Sequence, residues 1–181
     1  MSTLGERLVA LHDALDAAGI GHAFGGAIAL AYCTEEPRGT RDLDLNVFVP
    51  PEDAERAFAA LPESVLVRAA DVAATQRDGQ VRLWWDDTPI DVFFDVHAFH
   101  RHAAARVRRV PFEGANIPVL DCDSLAVFKA LFNRTRDWAD IEAMVEACAL
   151  GDEALVWVRD LLGAEADQSR RLAGLLAQPP D

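Results

Sequence analysis

The sequence predicts an α+β fold: a small mixed sheet flanked by helices, followed by a helical C-terminal part. Three observations lead there. Between residues 20 and 120, short apolar or alternating runs bounded by Gly, Pro and Asp recur in the manner of strands and hairpins. From Asp121 onward the apolar residues follow a helical period instead. Of the 181 residues, 51% are hydrophobic and 26% charged, which is enough for a real core and too apolar for disorder. The expected organisation is a core over residues 1–120 and a helical region over 121–181 packed on it.

The elements are justified in order. Thr3 and Glu6 form a capping-box pattern, and Leu4, Leu8, Leu11 and Leu15 make one buried stripe, so the chain opens on a helix that stops at Gly19. IGHAF reads as a short strand, and GGAIALAYC as a glycine turn feeding a helix of small residues. LDLNVFV is a strand. PPEDAERAFAAL is a helix with Pro near its start and acids in its first turn. SVLVRA suggests a short strand. QVRLWWDD and PIDVFFDVH pair as strands across a turn at Asp87, Thr88 and Pro89, and RVRRVPF with NIPVL forms a second hairpin around Glu113 to Ala115. Helices are expected at 123–133, 136–148, 152–162 and 166–177, and the tail QPPD reads as linker.

Charge narrows the function classes. Thirty acids against 17 bases give a net charge of −13, so any nucleic-acid partner needs a local basic patch. Only HRHAAARVRR, residues 100 to 109, qualifies. Cys33, Cys122 and Cys148 are scattered without metal-ligand spacing and read as small buried residues in a reducing compartment. The N-terminus has helical amphipathicity rather than a signal pattern, and no run reaches membrane-spanning length. A cytoplasmic protein with no membrane association is expected.

The chemistry gathers in PRGTRDLDLNVFV, residues 37 to 49. Asp42 and Asp44 alternate with Leu43 and Leu45, so both carboxylates point to one face of a strand. Their mutual repulsion asks for a cation. Upstream, Gly25-Gly26 turns the chain from a strand into a helix N-terminus, a place suited to phosphate. A third acid, Asp91, lies on another strand and competes for its role with Asp95 on the same face. Three carboxylates beside a phosphate-binding turn suit Mg²⁺, which takes hard oxygen ligands and shares substrate phosphates.

This ordered set resembles the nucleotidyltransferase superfamily related to DNA polymerase β. More narrowly, it is similar to the bacterial AbiEii-type toxins and related minimal nucleotidyltransferases. Gly25-Gly26, Arg38-Gly39-Thr40-Arg41-Asp42-Leu43-Asp44 and Ile90-Asp91-Val92-Phe93 carry the resemblance, together with Lys129, Arg134, Asp137, Asp140 and Ile141. It spans roughly residues 20 to 147. The second motif glycine is often a serine in relatives, and Gly26 offers only its amide.

The resemblance implies a nucleotidyltransferase fold and a magnesium- or manganese-dependent enzyme. A nucleoside triphosphate would lie over Gly25 and Gly26, with Arg38, Thr40 and Lys129 as further phosphate contacts. Asp42, Asp44 and Asp91 would be the metal ligands, and with Lys129 the catalytic set. A nucleoside monophosphate would pass to an acceptor hydroxyl of RNA, such as tRNA, or of a protein. The implied setting is a toxin–antitoxin system with a cognate antitoxin as partner. The alternatives are transfer to an aminoglycoside-type small molecule, whose cations suit an acidic cleft, or a degenerate protein that only binds nucleotide.

Other features have plainer readings. Asp137 and Asp140 fall in the first turn of a helix and are expected to cap it and pair with Arg134 or Arg136. That helix is expected to bury Trp138, Ile141, Val145 and Cys148, and the preceding one Leu125, Phe128 and Phe132. His97, His100 and His102 share no element that would assemble a zinc site. Trp84 and Trp85 span both faces of a strand as core and cleft wall. The basic stretch reads either as an RNA guide or as a charge-protected edge strand. Lys129 is the sole lysine among the 17 basic residues.

Overall fold

The computed structural model describes residues 2–177. Within them a seven-stranded mixed sheet has the order β3-β4-β5-β2-β1-β7-β6. Its strands are β1 (His22–Phe24), β2 (Leu43–Val47), β3 (Val65–Leu66), β4 (Gln80–Trp85), β5 (Thr88–Phe94), β6 (Arg108–Phe112) and β7 (Ala115–Val119). β2 runs parallel to β5 and antiparallel to β1, while β1 and β7 are parallel. The two predicted hairpins, β4–β5 and β6–β7, both form.

Alternation decides which face of the central strands is dry. Leu43, Leu45, Ile90, Val92 and Phe94 are at most 1% exposed, so the odd residues of β2 and the even residues of β5 face the core. Asp42, Asp44 and Asp91 fall on the other face by the same parity.

The helices are α1 (Leu4–Ala17), α2 (Gly26–Thr34), α3 (Ala54–Ala59), α4 (Ala69–Asp78), α5 (Ala98–Ala105), α6 (Cys122–Phe132), α7 (Thr135–Glu146), α8 (Glu153–Leu162) and α9 (Asp167–Leu176). The Thr3–Glu6 capping box forms as expected, and Leu8, Leu11 and Leu15 are fully buried. α1 also buries Arg7, whose guanidinium donates to the Trp85 carbonyl and Thr88 hydroxyl and pairs with Asp86 and Asp87. A single cation thereby clamps the β4–β5 turn.

The described chain divides into two compact units. One holds the residues up to Ala27 together with Gly39–Leu120, and so the whole sheet; the other holds Ile28–Arg38 and the chain from Asp121 onward. The second unit therefore recruits most of α2.

Several local expectations are corrected. The β4–β5 turn is Asp86-Asp87, with Asp86 at φ +52°, and Thr88 and Pro89 belong to β5. Pro51–Asp53 forms a 3-10 turn before α3. The basic stretch is not simply an edge strand: its first half is α5, and only Arg108 and Arg109 lie on edge strand β6. Phe132 is 38% exposed, because α6 ends there and Asn133 takes the left-handed cap, and Val145 is half-buried. The cysteines differ most. Cys33 and Cys122 are buried but joined in a disulfide, while Cys148 is exposed beyond the end of α7. The tail QPPD lies outside the described residues.

Candidate active site

Backbone register assembles the acids and the glycine turn on the sheet. Gly25 continues the end of β1, its N–H donating to the Asp44 carbonyl at 2.9 Å. Asp44 pairs with Asp91 across the parallel β2–β5 ladder, and Asp91 pairs with Arg82 across β5–β4. Gly25, Asp44, Asp91 and Arg82 thus form one transverse row over four strands. Asp42 stands two residues before Asp44 on the same face.

Gly26 begins α2 with φ +51°, and a Cβ there would collide with Asp44 Oδ2. Glycine is therefore required twice, by the backbone and by the carboxylate packed against it. A Cβ on Gly25 would also press on Asn46 and Leu120, at 3.2 and 3.3 Å.

Thr40 acts on the acid rather than standing apart from it. Its hydroxyl donates to Asp42 Oδ1 at 2.5 Å, and the Asp42 N–H donates back to Thr40 Oγ1 at 3.4 Å, an arrangement that fixes the carboxylate's direction. Asp91 is held by Arg82 through two parallel bonds, Nε to Oδ1 and Nη2 to Oδ2, each 2.7 Å. That fork geometry is the strong form of an Arg–carboxylate pair. It keeps the Arg82 guanidinium charged, its pKa raised first by the Asp91 hydrogen bonds and then by the Asp91 charge, with smaller contributions from Asp42 and Asp44.

Asp95 is the weaker candidate for third acid. It follows the last residue of β5, roughly 13 Å of strand beyond Asp91, and its nearest basic partner is Arg101 at 3.7 Å.

The helical unit carries Lys129 and Arg38. Lys129 is 6% exposed on α6, and its ammonium donates to Asp140 Oδ2 at 2.6 Å. Arg38 grips the same carboxylate at 2.8 and 3.0 Å. Asp140 is thus a bridge between two cations, not a partner of Arg134 or Arg136. Asp137 behaves as expected: it caps α7 through the Arg134 N–H and pairs with the Arg134 side chain.

The donor set suits a hard divalent cation at Asp42 and Asp44, two oxygen-bearing side chains with one oriented by Thr40 and the other seated against a glycine. Mg²⁺ commonly takes one or two carboxylates and completes its shell with water and phosphate oxygens. Among the described residues no group of three or more His, Cys, Asp or Glu side chains could hold a metal, and Asp91 is engaged by Arg82. His97 and His100 lie near each other, ring centroids 4.4 Å apart, without assembling such a group.

The chain as a whole matches a known family. The model of the nucleotidyl transferase AbiEii toxin family, type IV toxin–antitoxin system, matches residues 8–180. The chain belongs to that family. No curated protein matches the sequence. Among solved structures, the antibiotic-resistance factor ANT(2'')-Ia superposes with a TM-score of 0.59 at 15% identity, covering 93% of each chain, and shows the shared nucleotidyltransferase fold. JHP933 from Helicobacter pylori also matches, with a TM-score of 0.48 at 15% identity over 97% of this chain and 90% of that one. No described helix of this AbiEii-family chain is long and apolar enough to cross a membrane.

Sequence reasoning missed Arg82. With the hairpin turn placed at Asp87 to Pro89, Asp91 would stand opposite Trp85. Moving the turn to Asp86-Asp87 brings Arg82 opposite instead, so the signal was present in the register and lost by the turn. Trp84 and Trp85 divide as expected: Trp85 is buried and Trp84 is 44% exposed on the acid face.

Proposed function

We propose that this AbiEii-family protein is an enzyme transferring a nucleoside monophosphate from a nucleoside triphosphate to an acceptor hydroxyl of RNA or protein. It would act as the toxin-like member of a pair with a cognate antitoxin. One observation carries the reading: Asp42 and Asp44 stand on the same face of the sheet, with Asp44 packed directly against the positive-φ glycine Gly26 of the turn. A degenerate binding protein would have no reason to keep two oriented carboxylates in mutual repulsion.

In this reading the Gly25-Gly26 turn and the first amides of α2 receive phosphate oxygens, because a helix N-terminus directs N–H groups and positive potential outward. Asp42 and Asp44 hold Mg²⁺ or Mn²⁺, Thr40 fixing the aim of the first. A bound divalent ion would supply charge neutralisation for the reacting phosphate and the departing pyrophosphate. Asp91, once free of Arg82, would accept the proton of the acceptor hydroxyl or join the metal ligands. Lys129 supplies a compact ammonium for the triphosphate, with Asp140 and Arg38 steadying it.

The test is incubation of the protein with Mg²⁺ and each α-labelled triphosphate in a cell lysate, beside Asp44→Asn. Label in RNA or protein that depends on Asp44 supports the reading. Label confined to small solutes would make the protein a small-molecule nucleotidyltransferase, and no Asp44-dependent label in any fraction would reject transfer altogether.

A further inference from the structure

Resting on that reading, we infer that Arg82 is a built-in counter-ion that occupies Asp91 in the metal-free protein and is displaced from it when a divalent cation binds.

The argument starts from charge. Asp42, Asp44 and Asp91 share one face of the sheet, and like charges at cross-strand neighbours are destabilising. The protein as a whole carries a net charge of −13. Arg82 comes from the neighbouring strand at the matching register position and meets both Asp91 oxygens at 2.7 Å. With both oxygens in the fork, Asp91 has its best lone pairs committed, and a metal drawn to it would sit beside a guanidinium of like charge.

The pair is also placed to let go. The Arg82 side chain is 51% exposed and that of Asp91 21%, so separation returns the guanidinium to water rather than stranding a buried charge. A divalent ion at Asp42 and Asp44 would repel Arg82 and attract Asp91, and both forces act toward release. Arg82 and the metal are then alternative cations for one carboxylate. The exchange commits Asp91 to the site only when the metal is present, and leaves Arg82 an unpaired cation beside incoming phosphates.

The experiment titrates Mn²⁺ alone into the full-length protein and follows free ion by its electron paramagnetic resonance signal. Wild type, Arg82→Gln, Asp91→Asn and the double variant are compared, with circular dichroism confirming the fold. Removing the competitor should tighten Mn²⁺ binding about two- to fivefold, the worth of a half-exposed ion pair. In the Asp91→Asn background the same change should have no effect, because there is nothing left to compete for. Equal gains in both backgrounds would overturn the inference, since Arg82 would then act only as a distant charge. Unchanged or weaker binding in Arg82→Gln would overturn it as well. Should Arg82→Gln fail to fold, Arg82→Lys keeps the charge, loses the fork and should show a smaller gain in the same direction. Asp44→Asn separates the two levels: Mn²⁺ binding that survives that change rejects the metal site itself, whereas binding lost there but indifferent to Arg82 rejects only the exchange.

Discussion

Gly26 has less latitude than its neighbours, and the reason can be isolated experimentally. Ala at φ +51° costs about 1–2 kcal/mol in backbone strain, and its Cβ would also push Asp44 aside. Gly19 provides the control: its φ is +65°, yet an added Cβ would meet nothing within 4 Å. Gly26→Ala should lower stability in chemical denaturation by more than Gly19→Ala, which carries the backbone strain alone, and only Gly26→Ala should weaken Mn²⁺ binding. Equal Mn²⁺ affinities would mean that the glycine serves the backbone alone. Lys129 invites a second comparison, because its ammonium is buried against Asp140 and close to Asp137, 3.9 Å away. Lys129→Ala leaves Asp140 with Arg38 only and should cost about 1–3 kcal/mol, the penalty of an under-satisfied buried polar group. Lys129→Arg keeps a charge but brings a planar group into a space shaped for a compact one. It should retain more stability than the alanine variant while nucleotide transfer falls in both. Normal transfer by Lys129→Arg would remove the lysine from the chemistry.

At the scale of elements, the disulfide between Cys33 on α2 and Cys122 at the start of α6 ties the 28–38 segment into the helical unit. It closes a loop across a sequence separation of 89, for which chain entropy gives an upper figure of about 4–5 kcal/mol. Unfolded without reductant, the protein should present one reactive thiol, Cys148, and three after reduction, and reduction should lower the denaturant midpoint. Three thiols without reductant would show the pair open. Nothing in the sequence announced this link, because scattered cysteines name no partner and the pairing depends on which unit α2 joins. The four C-terminal helices were legible, each being a periodic run long enough to declare itself. α4 and α5 were missed for opposite reasons. α4 spans AADVAATQRD, where only Thr75 is buried, so its apolar period is faint although Gly79 marks its end. α5 lies inside a basic run whose charge drew attention from its buried Phe99, His100 and Ala103. The site's acids and glycines were legible because strand parity puts carboxylates on one face regardless of topology. Their counter-ion was not, because cross-strand pairing shifts with the placement of a single turn.

For the whole molecule, acid should act through buried imidazoles against a relief of charge repulsion. His100 is 4% exposed on α5, and burial, helped by the charge of neighbouring His97, lowers its pKa from 6.5 to about 4. His22 is lowered too, chiefly by burial, and its ring contacts His12 at 2.9 Å and the Ile20 carbonyl at 2.8 Å. In both cases the unfolded chain takes up the proton first as pH falls. Stability contributed by the neutral His100 is therefore complete above pH 6.5 and declines as pH drops toward 4, by about 3 kcal/mol over the window. Loss of the −13 net charge acts the other way, since acidification toward the pI of about 4.7 removes self-repulsion. The two effects are separable because only one depends on an imidazole. His100→Leu shifts stability by a constant through packing but cannot titrate. The difference in unfolding free energy between wild type and His100→Leu, measured by urea denaturation from pH 7.5 to 4, should change with pH in favour of the variant as acid is added. A difference that stays flat across that range would show that His100 is not held neutral by the fold.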